Sequence, residues 1–169
     1  MVIIVMGPAG SGKSLVGTRL AAALGWPFFE GDDFHPAANV ARMHAGLPLG
    51  DAERAPWLAA LAGVVARSLT TKTSAVLTCS ALRRAYRRAL VPADAAPDTV
   101  RFVYLQADPA LLAARLAARA GHFFAPNLLA SQLATLEPPD ADERASVLTL
   151  DASGTPDQLV EAVRSTFDV

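Results

Sequence analysis

The chain is poor in cysteine, in lysine and in long apolar runs. Cys79 is the only cysteine among 169 residues, so an intrachain disulfide is excluded. Lys13 and Lys72 are the only lysines, and the formal net charge of −1 argues against a general nucleic-acid or membrane-surface binder. No apolar run approaches the roughly 20 residues that span a bilayer. The first apolar run has no basic segment before it, so we expect no signal peptide and a cytoplasmic location.

Metal-binding clusters of cysteine and histidine are also missing from the sequence. The three histidines and the single cysteine are widely separated and have no zinc-ligand spacing. Cys79 follows an apolar stretch, so we interpret it as a small buried residue at a strand end and not as a catalytic thiol. With 52% hydrophobic and 18% charged residues, the composition is that of a globular protein. We expect a single domain over residues 1–169.

The most informative feature present is an octapeptide near the N-terminus that matches the phosphate-binding pattern G-x-x-x-x-G-K-[ST] at every fixed position. It reads Gly7-Pro8-Ala9-Gly10-Ser11-Gly12-Lys13-Ser14. Glycines let backbone N–H groups converge on a phosphate, Lys13 would contact the β- and γ-phosphates, and the Ser14 hydroxyl would bind Mg²⁺. An apolar strand pattern over 2–6 precedes the loop, and a helical pattern over 13–24 follows it. This order favours a nucleotide site that includes Leu15 over a glycine-rich turn without a ligand.

Strand-like and helical patterns alternate along the whole chain. Strand-like runs are found at 2–6, 27–30, 74–79, 100–106 and 146–150. Helical patterns are found at 13–24, 36–45, 51–69, 81–90, 109–119, about 126–136, and 156–167, the last with Thr155 as its cap. The alternation predicts an α/β fold with three layers, in which helices cover both faces of a parallel five-stranded sheet.

Acidic residues follow the second strand-like run. The carboxyl ends of parallel strands form the ligand crevice, so Glu30 and Asp32 should face the same space as the phosphate loop. Phosphoryl transfer to an alcohol needs one carboxylate near the attacking hydroxyl and another near the metal. We assign Asp32 to the hydroxyl and Glu30 to a metal-bound water. A solvated acidic turn is the alternative for Asp32 and the preferred interpretation of Asp33.

Two groups of arginines are candidates for binding anions. Arg115 and Arg119 are four residues apart on one helix face, just before Gly121, and could close over a triphosphate as part of a mobile lid at about 115–127. The alternative is two surface arginines on an alanine-rich helix. A second helix opens with four arginines, among them Arg83 and Arg87, which suit an anionic acceptor such as a carboxylate. A nucleic-acid face is a weaker alternative for that helix because the chain as a whole has a formal net charge of −1.

These segments together resemble the gluconate kinase (gluconokinase) family of small P-loop kinases, whose fold is related to shikimate and nucleoside monophosphate kinases. The resemblance runs nearly end to end. Its most specific part pairs Gly-Asp-x-x-His-Pro at 31–36 with Asp-x-x-Arg-x-Pro-Trp at 51–57, and it continues through Cys-Ser-Ala-Leu at 79–82 and Gly-His-Phe-Phe at 121–124.

The resemblance implies ATP-dependent phosphorylation of D-gluconate at its 6-hydroxyl, with Mg²⁺. Asp32 would orient or deprotonate that hydroxyl, and residues of an insert at about 31–70 would contribute to holding the sugar acid. The substrate-binding residues that we expect are Asp32, His35, Arg54, Arg83, Arg87 and His122. Lys13 and Arg119 would act in catalysis with Asp32. A homodimer without nucleic-acid or membrane partners is expected.

Two departures from the family pattern and two alternative functions remain. Many relatives have Asp where this chain has Glu30, and Lys where it has Arg42 and Arg83, so the acceptor preference could differ. One alternative is a kinase for another small hydroxy acid or for a nucleoside monophosphate. The other is a nucleotide-dependent switch with little catalysis, which is disfavoured because the chain lacks an Asn-Lys-x-Asp motif and because Asp151–Gly154 reads better as a turn.

Overall fold

The computed structural model describes residues 1–118 and 126–169. These residues form one parallel five-stranded sheet with the strand order β2-β3-β1-β4-β5. The strands are β1 (Val2–Met6), β2 (Phe28–Phe29), β3 (Ala75–Cys79), β4 (Val100–Gln106) and β5 (Val147–Asp151). The predicted strand at 27–30 is thus reduced to two residues at the edge of the sheet.

Seven α-helices and two short 3₁₀ helices lie in the described ranges. The α-helices are α1 (Lys13–Leu24), α2 (Ala37–His44), α3 (Asp51–Thr70), α4 (Arg84–Ala89), α5 (Pro109–Ala117), α6 (Pro126–Thr135) and α7 (Pro156–Phe167). The 3₁₀ helices, at Gly31–Phe34 and Ala141–Glu143, were not predicted.

The main difference from the predicted helices is the start of α4, which begins three residues later than the pattern indicated. Ala81 has a φ of +42° and Arg83 is extended, with φ −106° and ψ 151°, so this part of the chain cannot be helical. By contrast, α1 and α7 have the predicted bounds. Gly25 ends α1 with a φ of +66°, and the Thr155 hydroxyl caps α7 by accepting from the Gln158 N–H.

The sheet separates two hydrophobic cores, because successive residues of a strand point to opposite faces. Ile4 and Met6 of β1 lie in the core that contains Trp57 and Leu61 of α3. On the other face, alternate residues of β1 pack with α1 and α7. That core includes Ile3, Val5, Leu20, Val160 and Val163. The predicted three-layer α/β fold is confirmed.

This fold brings the ends of three strands together. β1 leads into the phosphate-loop motif, β2 leads to the 3₁₀ helix at Gly31–Phe34, and β3 ends at Cys79. Cys79 is fully buried, and burial raises the pKa of its thiol to about 12. It is the buried strand-end residue that the sequence predicted. Among the described helices, none combines the length and the apolar character that crossing a membrane requires.

Candidate active site

The phosphate-loop motif forms a tight turn between β1 and α1. Gly7, Gly10 and Gly12 have φ angles of +148°, +83° and +93°, which favour glycine. A Cβ atom at Gly10 would lie 2.9 Å from the carbonyl oxygen of Leu112, so the turn also packs too closely for a side chain there. The loop ends at the N-terminus of α1, where the N–H groups of the first turn have no intrahelical partners. This geometry suits an anion such as a triphosphate.

Two clefts open on either side of Lys13. We call the first the nucleotide cleft; it is lined by Gly10, Gly12, Lys13, Ser14, Leu15, Arg115 and Leu116. The second, the acceptor pocket, has among its lining residues Lys13, Asp32, His35, Arg54, Trp57 and Gln132. Lys13 is 9% exposed and is common to both. Its ammonium is therefore available to a group that passes from one cleft to the other.

Arg115 of α5 is held at the wall of the nucleotide cleft. Its guanidinium donates to the carbonyl of Ala152 at 2.8 Å and to that of Ser11 at 3.5 Å. The Ser11 hydroxyl is buried and has no hydrogen-bond partner among the described residues. Arg115 therefore links the phosphate loop to the turn after β5 and has N–H groups left for a nucleotide.

His35 and Trp57 form one wall of the acceptor pocket, with ring centroids 4.3 Å apart and planes inclined by 13°. Burial lowers the pKa of His35, and nearby Arg54 adds to this, whereas Asp32 acts in the opposite direction. The Asn39 amide nitrogen donates to the carbonyl of Glu53 at 2.7 Å and lies 3.4 Å from His35 Nδ1. Because that amide is a donor, Nδ1 accepts and the neutral ring carries its proton on Nε2.

Arg54 is positioned in the pocket by a network of polar side chains. It is 9% exposed, and its guanidinium donates to the Tyr86 hydroxyl at 3.3 Å. That hydroxyl donates in turn to Asp51, which also forms a 2.8 Å ion pair with Arg83. The hydrogen bond from Tyr86, together with the charge of Arg83, lowers the pKa of Asp51. Arg54 uses one of its five N–H groups in this bond, so others remain for a carboxylate.

The acidic turn before the pocket is fixed by β3 and α3. The Gly31 N–H donates to the Thr78 hydroxyl at 2.9 Å, and the Trp57 indole N–H donates to the Gly31 carbonyl at 2.7 Å. The Thr78 hydroxyl donates to Glu30. Asp32 follows at an exposed position that lines the pocket. The turn thus presents a carboxylate to the acceptor side of Lys13.

Comparisons with known proteins agree with this geometry. The family model described as "AAA domain" matches residues 2–139. The chain is 46% identical to a gluconokinase of Gluconobacter oxydans, covering 94% of this chain and 86% of the relative. It is 39% identical to the thermoresistant gluconokinase of Escherichia coli, covering 99% and 92%.

The chain belongs to the gluconokinase family. A gluconokinase crystal structure from Sinorhizobium meliloti superposes with a TM-score of 0.85 at 39% identity, covering 99% of this chain and 91% of that one. A shikimate kinase from Aquifex aeolicus, at 16% identity and a TM-score of 0.60, shares the fold alone. The predicted P-loop kinase fold is confirmed.

Most of the predicted gluconokinase site residues that the structure describes lie at one of the two clefts. The nucleotide cleft and its loop contain Gly7, Pro8, Ala9, Gly10, Ser11, Gly12, Lys13, Ser14, Leu15 and Arg115. The acceptor pocket contains Asp32, His35 and Arg54. Arg83 is not among the pocket-lining residues. It pairs with Asp51 and lies over the Tyr86 ring, and Tyr86 in turn accepts from Arg54.

Arg87 requires a correction. It is 2% exposed, and its Nε and one terminal nitrogen each donate to Glu143 at 2.6 Å. The other terminal nitrogen donates to the carbonyls of Ala81 and Glu137. Four of its five N–H groups are therefore engaged within the fold, which contradicts the predicted role in binding substrate. Arg87 instead anchors the start of the α4 segment to the chain after α6.

Part of the predicted lid lies outside the described residues, and so do Arg119 and His122. The described chain resumes at α6, which contacts the connection between α2 and α3 and also the phosphate loop. Asn127 donates to the carbonyl of Gly46 at 2.7 Å, and Gln132 accepts from the Ala9 N–H of the phosphate loop at 2.7 Å.

Sequence reasoning missed Tyr86, Asn39, Thr78 and Gln132 as site residues. The resemblance to the gluconate kinase family also includes Asn39, Tyr86 and Gln132, so their position in that pattern could have identified them. No sequence pattern indicated Thr78, because it reaches the acidic turn only through the parallel pairing of β3 with β2.

Proposed function

We propose that this protein phosphorylates D-gluconate on its 6-hydroxyl with Mg-ATP. The observation that carries the proposal is the position of Lys13, which lines both the nucleotide cleft and the acceptor pocket. A γ-phosphoryl group bound by Lys13 would face Asp32 across the pocket. The relatives named gluconokinase, at 39% and 46% identity over nearly the whole chain, support gluconate as the acceptor.

The residues of the acceptor pocket suit a polyol with one carboxylate. Arg54, with N–H groups to spare beside its bond to Tyr86, would bind the carboxylate in a bidentate manner. His35, neutral because burial lowers its pKa, would donate from Nε2 to a hydroxyl of the sugar chain. Asp32 would accept the proton of the attacking 6-hydroxyl as general base.

The residues near the phosphate loop fit a magnesium ion. Mg²⁺ prefers oxygen ligands and is commonly bound by one or two side chains together with substrate phosphates. Ser14 supplies such an oxygen in the nucleotide cleft, and Glu30 would hold a metal-bound water with the carboxylate oxygen that does not contact Thr78. When bound, the ion would neutralise phosphate charge and so assist transfer.

Several finer assignments stay predictions. Arg115 and Arg119 would bind the nucleotide as part of a lid at about 115–127, and Arg119 would also act in catalysis. His122 and Arg83 would bind the substrate, Arg83 from its position beside Asp51. We also expect a cytoplasmic homodimer that binds neither nucleic acid nor membranes. Light scattering of the purified protein would test the dimer.

The proposal is tested by identifying the product. The purified protein is incubated with Mg-ATP and ¹³C-labelled gluconate, and the product is examined by ³¹P and ¹³C NMR. We expect a phosphate monoester whose phosphorus couples to carbon 6. Phosphate on another carbon would contradict the proposed orientation in the pocket, and no phosphorylated product would contradict the function.

A further inference from the structure

Thr78 is a fully buried hydroxyl residue, one position before the end of β3. Its oxygen accepts from the Gly31 N–H at 2.9 Å and its hydrogen is donated to Glu30. The direction of the two bonds is fixed, since a backbone N–H can only donate and a hydroxyl has one hydrogen. The hydroxyl therefore holds both the backbone and the carboxylate of the acidic turn.

The methyl group of the same side chain faces the phosphate-loop helix. A Cβ atom at Gly17 of α1 would lie 2.9 Å from Thr78 Cγ2, so the methyl group packs directly on bare helix backbone. α1 begins at Lys13. A threonine has few rotamers to choose from, and this one satisfies the helix contact and both hydrogen bonds together. Thr78 therefore spans the distance from the helix of Lys13 to the turn of Asp32.

The turn is also held on its other side. The Trp57 indole N–H donates to the Gly31 carbonyl at 2.7 Å, and both bonds of Gly31 are buried. A Cβ atom at Gly31 would lie 1.9 Å from the Thr78 carbonyl oxygen, so the backbone of the turn touches β3. The peptide that precedes Asp32 therefore has little freedom to move as long as Thr78 and Trp57 keep their bonds.

We propose that Thr78 is a positioning residue for phosphoryl transfer. Its hydroxyl fixes the direction of Glu30 and the backbone before Asp32, while its methyl group sets their distance from the helix that carries Lys13. The proposal rests on the proposed function, because Asp32 matters only if an acceptor hydroxyl is activated. Thr78 itself is fully buried and is not among the residues that line the nucleotide cleft or the acceptor pocket. Groups that orient metal-binding side chains contribute about 10- to 100-fold to metal affinity or activity, and Thr78 holds Glu30, which we propose to bind a metal-bound water.

The test is the Thr78→Val variant, which keeps the shape of the side chain and removes both hydrogen bonds. We expect kcat to fall about tenfold or more, with the KM values for gluconate and ATP changing less than about twofold. Thr78→Ser, which restores the hydroxyl but lacks the methyl group, should recover kcat to within about threefold of wild type. The remaining deficit measures the contribution of the methyl contact with α1. Thr149→Val, at an exposed position of the same sheet, is the control and should leave kcat unchanged.

A second measurement does not depend on turnover. Amide hydrogen exchange at Gly31 should be slow in the wild type and in Thr78→Ser and faster in Thr78→Val. Fast exchange at Gly31 in the wild type would overturn the proposal, and so would an unchanged kcat in Thr78→Val. A kcat of Thr78→Ser as low as that of Thr78→Val would also overturn it. A wild type without gluconate-dependent turnover would overturn the proposed function instead, and exchange at Gly31 would still decide whether the hydroxyl holds the turn.

Discussion

The imidazole of His35 lies against the indole of Trp57 with ring centroids 4.3 Å apart. Trp57 is also three residues after Arg54 on α3, so one helix face carries the proposed carboxylate ligand and the support of the imidazole. Its indole N–H in addition holds the Gly31 carbonyl. Trp57 therefore contacts or supports three groups that we propose to bind gluconate, namely His35, Arg54 and the turn that carries Asp32.

Acidification should disturb this stack. Because burial lowers the pKa of His35 below 6.5 in the folded protein, the folded state binds fewer protons than the unfolded state as the pH falls. The free energy of unfolding therefore has its full contribution from the buried neutral imidazole of His35 above pH 6.5. This contribution is lost as the pH drops from 6.5 through the lowered pKa of His35. Trp57 fluorescence in a Trp26→Phe background should titrate with a midpoint below 6.5. A midpoint at or above 6.5, or a titration that persists in His35→Gln, would contradict this assignment.

Removal of the Tyr86 hydroxyl should weaken gluconate binding more than turnover. In Tyr86→Phe, Arg54 loses the bond that orients it, and Asp51 loses one donor and keeps the other, Arg83. A hydrogen bond to a charged group contributes about 1.5–3 kcal/mol, so we expect KM for gluconate to rise about tenfold with a smaller change in kcat. Tyr104→Phe removes a buried hydroxyl outside the acceptor pocket and is the control. An equal rise in KM for gluconate in both variants would contradict the proposed role of Tyr86.

Glu143→Gln should destabilise the fold and leave gluconate binding unchanged. Arg87 and Glu143 are 2% and 13% exposed, and the hydrogen bonds from Arg87 lower the pKa of Glu143. Removing the charge of one partner of such a buried ion pair lowers the free energy of unfolding by about 3–5 kcal/mol. Urea denaturation would measure this loss. Glu143 stabilises the folded protein at pH values above the pKa that its carboxyl has in the unfolded chain. This stabilisation is lost as the pH falls through the lowered pKa of Glu143 in the folded protein.

The matched control for that variant is Glu161→Gln. Glu161 is 73% exposed and lies 3.5 Å from Arg164, so the change in stability should stay below about 1 kcal/mol. If Glu143→Gln instead raised KM for gluconate without loss of stability, the structural role that we assign to Arg87 would be wrong.

Local patterns predicted the nucleotide side of the site better than the acceptor side. The octapeptide, β1 and α1 are contiguous in the chain, so spacing alone determined their geometry. Arg87 was misassigned because its partner Glu143 is 56 residues away and no local pattern indicates the pair. Thr78 was missed for the same reason, since its contacts with Gly31 and Gly17 arise from sheet order and helix packing.

Asp32→Asn should lower kcat by about 100-fold or more while ATP binding stays largely intact, because a general base is lost and the nucleotide cleft is unchanged. Steady-state kinetics and ATP titration calorimetry would measure the two effects. Asp33→Asn is the control, since Asp33 is an exposed neighbour in the same 3₁₀ helix and does not line the pocket. Near-normal turnover of Asp32→Asn would remove Asp32 from the base role.

The most direct test of the account is an ADP-release assay of the wild type with Mg-ATP and a panel of acceptors. The panel contains gluconate, shikimate, glycerate, AMP and a sample without acceptor. The pocket formed by Asp32, His35 and Arg54 predicts turnover that depends on gluconate and a kcat/KM highest for gluconate. A higher kcat/KM for shikimate, glycerate or AMP, or ADP release independent of any acceptor, would contradict the central claim.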